Sequence, residues 1–237
     1  MGHEAGILYG VGVGPGEPEL LTLKAVRIIE ECDVIGIPAK EAAACTSYQI
    51  ALKAVPQMSE KRVLPLPVPM TTEPKKLEES YEKGTEKIVE LLSKGYKVAL
   101  LNLGDPAVYG SYLKFHDKVK ERGYQAEIVS GVPSFCAAAA ALELSLGQER
   151  EEIHILPACY SVDDLEKYTG TKILMKSAGR LNEIKEKLTA LEKEGKLKAY
   201  GISNCGMEQE AIYRDISELD DEAGYFTTII IKEKKTD

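Results

Sequence analysis

The sequence contains no tryptophan and three phenylalanines, so its aromatic character rests on twelve tyrosines. Amphipathic rings of this kind suit a binding trough but do not locate one. Five cysteines, at positions 32, 45, 136, 159 and 205, are odd in number and never spaced C-x-x-C. That pattern argues against both a disulfide framework and a zinc ribbon, and points to a cytoplasmic protein whose thiols are mostly buried small hydrophobes. The histidines are His3, His116 and His154, with no H-x-x-x-H or H-E-x-x-H among them. No metal site is expected. His116 falls mid-helix and His154 mid-strand, where a structural role is the expectation. No apolar run approaches the roughly 18 residues of a membrane span, and the longest candidate, Phe135 to Leu142, is alanine-rich and short. Met1 to Tyr9 lacks a basic region followed by an apolar core, so it does not read as a signal peptide. A basic stripe is missing too. With 30 Lys+Arg against 38 Asp+Glu the net charge is -8, which repels phosphate backbones and argues against a nucleic-acid partner.

What is present is an ordinary globular composition, 44% hydrophobic and 29% charged, over 237 residues. Apolar runs alternate with helix-period segments, the pattern of βα repeats and a largely parallel sheet. Strands are expected at residues 6–11, 33–37, 97–103 and 125–129, with a short one after Pro56. Helices are expected from Thr22, a candidate N-cap, to Cys32, and over 42–55, 77–94, 111–122 and 134–142. In the first helix Leu23, Val26 and Ile29 share a face, with Ile28 and Cys32 beside it. Pro65, Pro67 and Pro69 frame an extended loop, a candidate lid. The polar stretch 145–152 marks a boundary, which gives an N-terminal α/β domain over 1–146 and a C-terminal α/β domain over 147–237. Strands at 153–156, 172–175, 198–203, 210–213 and 226–232 and a helix at 181–191 make the second domain mixed. Its last strands lack intervening helices and should pair antiparallel.

Three turns follow predicted strands. The first, Gly10-Val-Gly-Val-Gly-Pro-Gly16, fails the dinucleotide spacing, since G-x-G-x-x-G would demand glycine at Pro15, Glu17 or Glu19. No Gly-Lys-Ser/Thr follows, so a Walker A loop also fails. What remains is a strand-to-helix turn whose glycines can bring backbone close to a ligand, or serve only as a tight connection. The second turn, Leu103-Gly-Asp-Pro-Ala-Val-Tyr-Gly110, follows the most apolar strand. Ligands of open α/β sheets bind beyond the carboxyl ends of strands. Asp105 could accept a hydrogen bond there or cap the helix behind Pro106. The third turn is Ser130-Gly-Val-Pro-Ser134, with Ser134 equally suited to N-cap or ligand contact.

In order and spacing, Gly12-x-Gly14-Pro15-Gly16 with Leu20-Leu-Thr-Leu-Lys-Ala25, then Leu103-Gly-Asp-Pro106 and Ser130-Gly-Val-Pro-Ser134, resemble the tetrapyrrole methylase family. Within it, Leu8 to Gly16, Gly104 to Tyr109 and Leu174-Met-Lys176 are most similar to the C-20 methyltransferases of precorrin-2 or cobalt-factor II. The resemblance covers essentially the whole chain, strongest before Ser134 and thin after Arg180. It departs from the family's commoner wording at Glu17, where Asp is frequent.

The resemblance implies a two-domain α/β fold and a homodimer. It also implies S-adenosylmethionine as methyl donor in a cleft between the domains, and an anionic tetrapyrrole in an adjoining trough. Carried over by position, Pro15, Leu103, Gly104, Asp105, Val108, Tyr109, Ser134 and Met175 contact the donor, with Asn204, Thr227 and Thr228 matched by approximate alignment. Gly14 falls beside the substrate. Asp105 and Tyr109 are the candidates to remove the departing proton, alongside a substrate carboxylate. In-line displacement otherwise asks chiefly for positioning and exclusion of water. Lys40, Lys114, Lys176 and Arg180 lie nearest the predicted loops and are the candidate partners of substrate carboxylates, although any single lysine can equally be a solvated charge. The alternatives are a methylase of the same family acting at another carbon or on uroporphyrinogen III, and, more distantly, a dimeric ligand carrier without catalysis.

Overall fold

Strands whose apolar residues run with little polar interruption need cover on both faces, and the three inner strands at residues 7–12, 34–37 and 98–102 obtain it in a wholly parallel sheet. The structure, a computed structural model, describes residues 5–71, 73–157, 165, 167–176 and 180–234. It divides into two compact units, residues 1–133 and 134–237. In the first unit β1 (Ile7–Gly12), β2 (Val34–Ile37), β3 (Arg62–Pro65), β4 (Val98–Asn102) and β5 (Gln125–Val129) form a sheet of order β3-β2-β4-β1-β5. Every pairing is parallel, with Gly12 opposite Asn102 at the end of β1 and Val11 opposite Val129 on its other side. Helices α1 (Leu23–Glu31), α2 (Thr46–Ala54), α3 (Pro74–Ser93) and α4 (Tyr112–Glu121) complete the βα repeat. Ile88, Leu92, Phe115 and Val119 of α3 and α4 pack with Leu8, Val98 and Leu100 into one core.

Thr22 is the N-cap the sequence predicts, accepting a hydrogen bond from Ala25 N at 3.1 Å. The helix it opens buries Ala25, Ile28 and Ile29, and Cys32 beyond its end is also buried. Leu23 departs from expectation. It is 90% exposed, because the buried stripe runs through Ala25, Ile28 and Ile29, which leaves Leu23 on the solvent side.

In the second unit β6 (Ile153–Pro157), β7 (Thr171–Met175), β8 (Leu197–Ser203), β9 (Ala211–Tyr213) and β10 (Thr227–Glu233) form a sheet of order β6-β7-β10-β8-β9. Only β6 and β7 are parallel; the last strands pair antiparallel as their spacing predicts. Leu181, Ile184, Leu188 and Leu191 of α6 (Leu181–Lys193) pack against Ala199, Ile229 and Ile231.

The division falls at residue 133, ahead of the polar stretch that suggested 146. Helix α5 (Ser134–Ala141), expected to close the first half, instead contacts β10. The residues after it are held the same way, since Arg214 Nη1 donates to Leu142 O at 3.1 Å and Lys232 Nζ to Leu146 O at 3.3 Å. Small alanines leave no periodic signal of which sheet they cover. Cys32, Cys45 and Cys205 are buried and Cys136 is exposed, while Cys159 lies outside the described residues. Burial pushes the Cys32 thiol up to about 12.

Lys232 Nζ also donates to Glu151 Oε1 and Thr171 Oγ1, both at 2.6 Å. Burial raises the Glu151 pKa, but the hydrogen bonds from Lys232 and Thr171 outweigh it and hold the carboxyl below its ordinary 4.5. A carboxylate depressed in the folded state contributes stability above its unfolded pKa that is lost as pH falls through the folded one. Lys232→Met should therefore lower unfolding free energy by about 2 kcal/mol at pH 7, because it strands a charged acceptor. In denaturant titrations the gap from wild type should narrow below pH 4.5 as Glu151 is protonated.

Candidate active site

Because β4, β1 and β5 are neighbours, the turns that leave their carboxyl ends are neighbours as well. The first two turns join directly. Gly104 N donates to Gly14 O at 2.8 Å and Gly14 N donates back to Gly104 O at 3.3 Å, an isolated antiparallel bridge. Gly14 and Gly104 sit at φ 73° and 68°, in the left-handed region where a side chain is strained. The third turn presses on the same point. A Cβ on Gly131 would lie 2.2 Å from Gly104 O, and one on Gly12 would lie 2.6 Å from Gly104 O and from Gly131 N. The glycines of all three turns thus meet at one backbone contact.

Asp105 joins the second and third turns. Its Oδ1 accepts from Ala107 N at 2.7 Å, closing a local turn, and its Oδ2 accepts from Gly131 N at 3.0 Å. The expected role as a helix cap does not appear, because residues 106–109 form a turn and α4 begins only at Tyr112; Asp105 instead closes that turn and makes a cross-turn clip that local spacing does not announce. Thr22 adds a second clip, its Oγ1 donating to Ser130 O at 3.3 Å. Asn102, buried at the end of β4, donates from Nδ2 to Leu103 O at 2.8 Å, and was not singled out by the sequence. A buried amide ending an otherwise apolar strand is the signal that marks it. Pro15 is buried and Leu103 and Val108 are half-buried. Tyr109 is 44% exposed with φ 52°. A bulky side chain in that region costs of order 1–3 kcal/mol and persists only where its surroundings impose it.

The second unit gathers its own candidates at one end of its sheet. Thr228 pairs with Met175 on β7 and Thr227 with Ser203 on β8, so Met175, Asn204, Thr227 and Thr228 share an edge. Ser134 Oγ reaches Thr228 Oγ1 at 3.5 Å, and Ser203 Oγ, another residue sequence reading passed over, lies 3.1 Å from Thr227 Oγ1. Asn204 has φ 51° and donates from its backbone to Phe226 O at 3.0 Å. Lys176 follows Met175 at φ 59° and is exposed. Arg180 precedes α6 and is paired with Glu183 at 2.5 Å. In the first unit Lys40 follows β2 and Lys114 lies in the first turn of α4, both exposed.

His116 and His154 have structural partners, while His3 lies outside the described residues. His116 Nδ1 lies 3.1 Å from Tyr112 Oη, and His154 Nε2 lies 3.3 Å from Glu152. Among the described residues no group of three or more histidine, cysteine, aspartate or glutamate side chains is placed to hold a metal ion.

Residues 7–220 match the model of the family described as Tetrapyrrole (Corrin/Porphyrin) Methylases. The chain belongs to the tetrapyrrole methylases. A protein of Methanocaldococcus jannaschii named probable cobalt-precorrin-2 C(20)-methyltransferase is 32% identical over 235 residues, 96% of each chain. A precorrin-2 C(20)-methyltransferase of Sinorhizobium sp. is 30% identical, over 97% of this chain and 96% of its own. Among solved structures, a cobalt precorrin-4 methyltransferase superposes with a TM-score of 0.73 at 23% identity, covering 95% and 94% of the two chains. A uroporphyrin-III C-methyltransferase of Thermus thermophilus complexed with S-adenosyl homocysteine superposes with a TM-score of 0.69 at 20% identity, covering 96% and 97%. These last two establish the fold. Tetrapyrrole methylases draw their methyl group from S-adenosylmethionine, and this chain is one of them.

The residues present fit such a donor. Turns freed of side chains by glycine allow backbone to approach its polar parts closely, and the half-buried Leu103 and Val108 offer apolar surface beside them. Strain at Tyr109, Lys176 and Asn204 falls on three of the five non-glycine residues with positive φ among the described residues. All three are site candidates carried over from the family resemblance.

Substitutions at Gly131 and Asp105 test the crowded contact, with Gly224 as a control. Gly131→Ala forces backbone apart and should cost about 1–3 kcal/mol, whereas Gly224→Ala, with nothing within 4 Å of the added Cβ, should change stability by less than about 0.5 kcal/mol. Asp105→Ala should lower the melting temperature by several degrees, since it removes an acceptor from two backbone N–H groups, and Asp105→Asn should recover part of the loss. Both are read by calorimetry.

Proposed function

We propose that this chain transfers a methyl group from S-adenosylmethionine to C-20 of precorrin-2 or of its cobalt-containing counterpart, in corrin (vitamin B12) biosynthesis, as a cytoplasmic homodimer. The observation that carries the position of methylation is the near full-length match, at 32% and 30% identity, to two proteins both named for that carbon. The convergent glycine turns support the placement of the donor, because they strip side chains from three adjacent loops at the carboxyl edge of a parallel sheet.

When bound, the donor supplies a methyl group already activated on a sulfonium, so the protein's task is positioning. By family resemblance, Pro15, Leu103, Gly104, Val108, Met175, Asn204, Thr227, Thr228 and Ser134 are the residues that would hold the donor. Gly14, Lys40, Lys114, Lys176 and Arg180 take the substrate, the cations facing its carboxylates. Asp105 acts as a positioning residue, because both of its oxygens already accept backbone N–H bonds. Tyr109 keeps the catalytic assignment. Its hydroxyl is the group on that turn from which the proton released by the methylated carbon can be handled, and the ring is held exposed at a backbone cost.

The test is anaerobic incubation with precorrin-2, its cobalt complex or uroporphyrinogen III and isotopically labelled donor, with product mass and carbon NMR as readout. Label at C-20 of a precorrin-2 skeleton is expected. Label on uroporphyrinogen III, or at another carbon, would replace this reading with that of a sister methylase. Tyr109→Phe should lower kcat by about 10²-fold with donor affinity unchanged, and equal rates would remove Tyr109 from catalysis.

A further inference from the structure

Two aromatic rings stand exposed beside the second unit's candidate donor residues without a role in the contacts described so far. Tyr225 and Phe226 immediately precede Thr227 and Thr228 and are 40% and 37% exposed. Their rings meet edge to face, with centroids 5.5 Å apart at 77°. The turn that carries them is fixed at both sides, by Asn204 N donating to Phe226 O at 3.0 Å and by Thr227 Oγ1 donating to Gly224 O at 2.8 Å. The Lys176 ammonium lies 5.9 Å from the centre of the Tyr225 ring, on a residue whose φ of 59° opposes its side chain. An anchored pair of exposed rings capped by a cation is a ledge for a flat ligand that carries negative charge.

We propose that Tyr225 and Phe226, with Lys176, form a specificity ledge that receives one edge of the tetrapyrrole ring. This rests on the methyl-transfer reading above. Charge separates the macrocycle from the other flat group at hand, the adenine of the donor. S-adenosylmethionine carries a sulfonium and an ammonium against one carboxylate, so an ammonium over the ledge disfavours it, whereas a polycarboxylated macrocycle is drawn to the same cation. The rings supply stacking area and Lys176 selects by sign.

Uroporphyrin III serves as a stable, flat, polycarboxylated probe, followed by its own absorbance, and S-adenosylhomocysteine by calorimetry. In Tyr225→Ala and Phe226→Ala the affinity for uroporphyrin III should fall about tenfold, as expected for loss of one stacking ring, while that for S-adenosylhomocysteine stays within twofold. Tyr225→Phe should keep wild-type affinity. Lys176→Met should weaken uroporphyrin III binding and flatten its salt dependence. In turnover, Tyr225→Ala should raise KM for the tetrapyrrole and leave KM for the donor unchanged. Loss of S-adenosylhomocysteine affinity with uroporphyrin III binding intact would overturn the ledge and assign the rings to adenine. Unchanged affinity for both would overturn it outright. A wild-type protein that neither binds uroporphyrin III nor methylates any precorrin would instead overturn the broader reading.

Discussion

The carbonyl oxygen of Gly104 is the most crowded point among the three turns, and their arrangement depends on it. It accepts the hydrogen bond from Gly14 N, and the missing side chains of Gly12 and Gly131 would both collide with it. Three chain segments can therefore approach only as bare backbone, and they do so where three parallel strands end side by side. Each amide hydrogen bond adds only about 1 kcal/mol net. The close approach instead fixes geometry, since a turn displaced by one carbon atom's width breaks contact with both neighbours. Asp105 and Thr22 then fasten the turn after β5 to the turns after β4 and β1.

How much of this was legible in the sequence follows the range over which each signal acts. Thr22 was readable as a cap because cap and capped N–H are three residues apart. Strand β4 was readable because its four consecutive apolar residues, 98–101, leave no polar phase. Asp105 was placed correctly at the carboxyl end of a strand, but its partner Gly131 is 26 residues away, and no local spacing states that pairing. Leu23 was misjudged because the buried stripe runs through Ala25, Ile28 and Ile29 and leaves it on the solvent side. In the second unit the shared edge of Met175, Asn204, Thr227 and Thr228 was reached through family resemblance alone, since antiparallel register cannot be counted from periodicity.

Strain gives an independent view of the same residues. Left-handed backbone at Asn204 is inexpensive, since asparagine tolerates it, but at Tyr109 and Lys176 it opposes the side chain. Both residues follow buried strands directly or through a glycine turn, so the sheet can impose the conformation that the residues themselves resist. The proposed anion-selecting ammonium thus follows directly on a buried strand, and the proposed catalytic hydroxyl sits on the turn that Asp105 closes.

The outer strands have a further consequence, for the behaviour of the chain at high concentration. Strands β3, β5, β6 and β9 border the two sheets and span four, five, five and three residues among those described. Strand β3 ends at Pro65, and Pro157 lies in β6; neither residue offers an N–H to a newcomer. Long, flat, bare borders are the templates on which foreign strands add and aggregates grow. Among the described residues the borders are short and two of them carry proline, so crowded copies meet little there on which to extend either sheet.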